Sequence, residues 1–253
     1  SDGEALLGGP VVTDSDAPDN LRGLYLDPAA ATIAMPVNVT GNVITWATGN
    51  VDVNADVTTS GTGSQIWMRA DDTGANAGAM GAAVAHDGSG ALTLAPGAAL
   101  AALDGAIDLS GEEVTVGQVS TQGTVDILAD VNGDGPSGPA AVSEINDYIR
   151  GSAVTVDVGS GRTNVTGDPD NRLGTFTVTG AGTLGIASDI SSSGDALGNG
   201  ISVQVPVELM GDSTITANLA DGGGSVEFTD TVESQTANEN SLFIDNATAA
   251  PPA

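Results

Sequence analysis

Apolar and polar residues alternate with a period of two along most of this chain. Val51, Val53, Ala55 and Val57 are separated by polar residues, and so are Ile66, Met68 and Ala70. The alternation returns at Leu92/Leu94, Ile107/Leu109, Val114/Val116 and Val125/Ile127, then over 154–158, 176–178, 184–186, 201–209, 215–219, 226–228 and 242–244. Clusters such as Thr58-Thr59-Ser60-Gly61 and Asp71-Asp72-Thr73-Gly74 bound these runs. Runs of this length between such clusters predict short β-strands joined by turns. The strand–turn units recur about every 20 residues, with insertions, and self-similarity on that scale marks a solenoid. One unit cannot bury its own apolar face, so neighbours must stack. Pro206 lacks the N–H that a ladder needs and predicts an edge, bulge or corner within 201–209.

Two stretches break the rhythm. Residues 1–40 hold Gly8-Gly9-Pro10, the acids Asp14, Asp16 and Asp19, and the short apolar pieces Val11-Val12 and Leu24-Tyr25-Leu26. They predict an extended N-terminal arm or cap, followed by a solenoid over 41–245 and a C-terminal tail over 246–253. The second exception is Ser143–Arg150. Ser143 suits a helix N-cap, Ile145, Tyr148 and Ile149 share one helical face, and Gly151 follows. This predicts one short helical insertion on the β scaffold.

Composition changes the picture in three ways. Apolar residues make up 40% of the 253 positions but aromatic residues only 3%. The core must therefore be Val, Ile, Leu and Ala, which fits a narrow interior of stacked small side chains. Acidic residues are 25 Asp and 8 Glu, and this ratio favours turns and strand ends over helices. The net charge is −28, with five Arg and no Lys. Such a chain repels nucleic acid and anionic lipid, and it needs salt or cations around it. The absence of Cys excludes disulfides and thiolate metal sites. No apolar run is long enough to span a membrane. The chain opens on Ser1, as an exported chain does after signal-peptide removal, so an extracellular or cell-surface location is expected.

The stretches 49–74 and 90–130, with Ala55-Asp56-Val57-Thr58-Thr59 and Val114-Thr115-Val116-Gly117-Gln118-Val119-Ser120-Thr121, resemble repeats of large bacterial secreted adhesins. These are the filamentous-haemagglutinin-like and autotransporter-passenger proteins. The resemblance covers roughly 41–245 and implies a right-handed parallel β-helix, export, and an extracellular or surface role. Its motifs are degenerate and speak to fold more than to function.

Chemistry is sparse. Asp130-Val131-Asn132-Gly133-Asp134-Gly135 matches the first half of a calcium loop, in which hard oxygen ligands surround a sharp turn at glycine. Ala141 stands where the twelfth-position acid belongs, so Glu144 or Asp147 must substitute. The expected metal ligands are Asp130, Asn132, Asp134 and Glu144, for Ca2+. Asp71-Asp72 and Asp168-Pro169-Asp170 read as solvated acidic turns. A polysaccharide-cleaving site needs aromatic platforms and cations beside its acids, and here Trp46, Trp67, Tyr25, Tyr148 and five arginines are thinly spread. His86 is the sole histidine and reads as a loop residue, and the two tryptophans read as a stacked cap. The chain is expected not to be an enzyme. It is expected to be a structural subunit that joins copies of itself head to tail by strand addition through Val11, Val12, Leu24, Tyr25 and Leu26. A fragment of a larger adhesin that binds a surface or matrix polysaccharide is the alternative, and a cleft of convergent acids with an arginine would revive an enzyme.

Overall fold

The computed structural model describes residues 4–7, 11–12, 23–26, 29–71, 90–129, 142–167, 172–192, 200–217, 225–237 and 239–245, with backbone alone at 4–7, 11–12 and 172–173. The described chain is all β, with 27 strands and no helix. Every pairing among them is parallel, and the strands lie in stacked sheets.

The pairings resolve into three ladders that the chain visits in a fixed order. The strand Ala30–Ile33 lies in the first, Val37–Val39 in the second and Val43–Trp46 in the third; Val51–Val53 then returns to the first. Among the described residues the first ladder stacks ten strands. In the second half of the chain, Ile149–Asp157 and Arg172–Thr179 run through the second ladder into the third without a break.

Register turns the period-two pattern into columns. Ile33, Val53 and Leu94 are partners in successive strands, as are Ile145, Val165, Ile186 and Leu209 further along. In the third ladder Val43, Ile66, Ile107, Val125, Val154, Phe176 and Ile201 form one continuous column. All of these side chains are buried. Each covers the one before it, so small aliphatic residues fill the interior without aromatic bulk.

Corners explain the excess of Asp over Glu. Asp56 Oδ1 accepts the Ala99 N–H at 3.1 Å, Asp189 Oδ1 accepts Thr214 N–H at 2.6 Å, and Asp212 Oδ1 accepts Ser241 N–H at 2.7 Å. Asn42 and Asn50 do the same for Gln65 and Ala91. In each case a short side chain on one circuit satisfies a backbone donor on the next, where the ladder itself is interrupted. The longer Glu side chain has more rotamers to lose in such a cap. Gly123 serves the same stacking differently, since a Cβ there would lie 2.6 Å from the Asp104 carbonyl oxygen.

The expected helix at Ser143–Arg150 is replaced by strands. Ser143–Ile145 joins the first ladder, and Ile149 begins the strand Ile149–Asp157. Ser143 and Ile145 both point inward, a spacing of two, and Ile149 opens the next inward run. The Ser143 hydroxyl that suits a helix cap instead accepts the buried Val114 N–H at 2.9 Å. Gly151, read as a helix stop, lies inside a strand, where a Cβ would press on Val125 at 3.1 Å. Tertiary stacking overrides a weak local helical signal here.

Candidate functional site

Outward positions of the third ladder are polar or acidic through most of its length. Asp108, Asp126, Thr155, Thr177, Ser202 and Glu227 are direct partners in successive strands. Beside them runs a second outward column, Trp46, Arg69, Ser110, Leu128 and Asp157. The strand Ile66–Arg69 ends two residues before Asp71, which is buried and not the solvated turn expected, and residues 72–89, with His86, lie outside the described residues.

Where the two columns meet, the strands Ile66–Arg69, Ile107–Gly111 and Thr124–Ala129 hold a cleft of about 190 Å³. Arg69, Asp108, Ser110, Asp126, Leu128 and Asp157 line it. Arg69 is only 8% exposed although it points away from the interior. Its guanidinium lies 5.1 Å over the Trp67 ring, and Nη2 stands 3.6 Å from Asp108 Oδ2. The indole face and the carboxylate fix the cation from two sides. Burial pushes the Asp108 carboxyl above its ordinary 3.8; Arg69 opposes that shift and Asp126 adds to it. The Ser110 hydroxyl is buried and has no hydrogen-bond partner among the described residues. Leu128, 37% exposed, adds an apolar surface beside the acids. The cleft thus combines a fixed donor group, paired acids one rung apart, a free hydroxyl and an apolar edge. Such a set can hydrogen-bond a ligand that both donates and accepts, and it meets the condition stated above for reviving a polysaccharide-cleaving enzyme.

Further along the same ladder a second cleft, of about 310 Å³, opens over Thr175, Thr177, Ser202, Gln204 and Glu227.

Of the expected metal ligands, Asp130, Asn132 and Asp134 lie outside the described residues. Glu144 sits at an outward position of Ser143–Ile145, paired with Thr115 and Asn164. Among the described residues no three His, Asp or Glu side chains come close enough to hold a metal ion. The expected assembly residues occupy first rungs. Val11-Val12 pair with Val37-Asn38, and Leu24–Leu26 pair with Val43–Thr45. Glu4–Leu7 pairs with Ala30–Ile33 ahead of them, so pairing runs unbroken across the boundary expected at Gly41. Tyr25 meets Trp46 edge to face at 5.4 Å.

Sequence reasoning passed over Arg69, Asp108, Ser110 and Asp126. The usable signal was the matching triplets Ile107-Asp108-Leu109 and Val125-Asp126-Ile127. They place two acids at one register position on adjacent strands.

No family model, no curated protein and no solved structure matches this chain. Nor, among the described residues, is there a helix long and apolar enough to cross a membrane.

Proposed function

We propose that this chain is an extracellular structural protein, a right-handed parallel β-helix whose copies stack end to end into a filament or surface matrix. Handedness follows from the strong right-handed preference of parallel crossover connections. The reading rests on one observation. Core columns that are sealed in every interior circuit stand exposed in the last described one, at Val232 and Ile244. The first-rung strands Glu4–Leu7, Val11–Val12 and Leu24–Leu26 each pair on one side only among the described residues. A parallel ladder continues most simply by adding another parallel strand. The first circuit of one copy, with Val11, Val12, Leu24, Tyr25 and Leu26, therefore covers the last circuit of another. This head-to-tail contact is heterologous and propagates.

The charge of −28 per copy must be screened for stacking to proceed. Calcium held by Asp130, Asn132, Asp134 and Glu144 is the source of neutralisation we favour. The segment connects Thr124–Ala129 of the third ladder to Ser143–Ile145 of the first in sequence. Asp134→Ala is then expected to abolish any calcium-dependent rise in melting temperature.

Sedimentation velocity tests the assembly. The native chain should form a concentration-dependent series of oligomers, and the double variant Val232→Glu/Ile244→Glu should remain a monomer. Monomers for both would remove the end-stacking reading. A surface or matrix polysaccharide is the second partner we assign, supported by the cleft on the third ladder.

A further inference from the structure

We propose that the outward strip of the third ladder, from the Arg69–Asp108–Ser110–Asp126 cleft to Glu227, is a binding track for a neutral polysaccharide chain lying along the stacking axis. The inference rests on the polysaccharide partner assigned above and is independent of end-to-end assembly.

Three features carry it. First, the cleft holds an unused buried group. Ser110 is 2% exposed and lines the cavity, yet its hydroxyl has no partner. The Arg69 Nε is likewise buried and unpartnered. Buried polar groups left without partners cost stability, so they point to a ligand that completes them.

Second, the chemistry of the cleft suits vicinal hydroxyls. Each sugar hydroxyl donates one hydrogen bond and accepts others. Asp126 and Asp157 accept, Arg69 donates, and Ser110 does either. Leu128 offers an apolar surface for the C–H face of a ring. At about 190 Å³ the cavity is below the size of drug-like pockets, so it takes one ring and not a whole oligosaccharide.

Third, the strip continues. Asp108, Asp126, Thr155, Thr177, Ser202 and Glu227 are consecutive register partners. At about 4.8 Å per strand they span about 24 Å. The second cleft, over Thr177, Ser202 and Glu227, lies at the far end of this line. Two clefts joined by a row of hydroxyls fit an extended polymer better than a compact molecule. The acidic surface sets its charge, because a chain of net charge −28 repels polyuronates.

Affinity gel electrophoresis tests this with the full chain in gels containing hydroxyethylcellulose, soluble starch, galactomannan, laminarin or polygalacturonate. The expected result is retardation by at least one neutral polymer and none by polygalacturonate. Ser110→Val, which fills the cavity, and Asp126→Ala, at an exposed position, should each weaken that retardation about tenfold. Unchanged melting temperatures would show that both variants fold. Three results would overturn the proposal: no retardation by any neutral polymer, equal retardation of native and variant chains, or preference for polygalacturonate. If Thr177→Val, 3 rungs from Asp108, also weakens binding, the track is extended; if it has no effect, the track is overturned in favour of a single-ring site.

Discussion

Ile215 and Ile244 are partners in the same column, one circuit apart, yet one is 0% exposed and the other 46%. Val207 and Val232 repeat the contrast at 2% and 37%. In each pair both residues are aliphatic and sit at the same register position of parallel-paired strands. What differs is whether another circuit lies on top. Burial in this molecule is therefore a property of the stack, and each rung is stabilised by its neighbour more than by its own composition.

The largest expected effect isolates that difference. Leu109→Ala, in a fully buried interior column, should cost about 3 kcal/mol in urea unfolding, whereas Ile244→Ala should cost about 0.5 kcal/mol in the isolated chain. Equal costs would contradict the stacking account. If copies do stack, Ile244→Ala should become more costly as protein concentration rises.

Corner packing comes next. Gly123→Val forces a side chain against the Asp104 and Gly105 carbonyls, both at 2.6 Å from the Cβ position, and should cost about 2 kcal/mol. Asp189→Ala removes the acceptor for Thr214 N–H and should cost about 1 kcal/mol, while Asp189→Asn keeps an acceptor and should cost less. Asp212→Ala, whose partner Ser241 lies in the last described circuit, should cost less than Asp189→Ala.

The smallest effect is a pH dependence in the cleft on the third ladder. Burial raises the folded-state Asp108 carboxyl above 3.8, so the folded chain holds this proton more tightly than the unfolded chain does. The stability gained from that proton is full below 3.8 and is lost as pH rises through the raised value. The stability of the native chain relative to Asp108→Asn should therefore fall across that window, as urea titrations at stepped pH would show. A flat difference would mean that Asp108 is solvated.

Much of the fold was legible because the period of two is local. Ile107/Leu109 and Val125/Ile127 declare their inward faces without any knowledge of partners. Ser143–Arg150 was misread because Ser143 and Gly151 carry the same local signals in a helix end as in this stack, and only the Val114 N–H one circuit away decides. The cleft was hidden for a related reason. Arg69 and Asp108 are far apart in sequence, and register alone brings their strands side by side. The Asp corners were legible as turns, but not as caps, since each partner belongs to the next circuit.

The central claim, that one circuit is completed by the next and that the last is completed by another copy, is tested most directly by negative-stain electron microscopy of the purified chain at rising concentration. The ten described strands of the first ladder, at about 4.8 Å each, predict filaments with an axial repeat of at least about 48 Å. Discrete particles at every concentration, with calcium or with chelator, would contradict it.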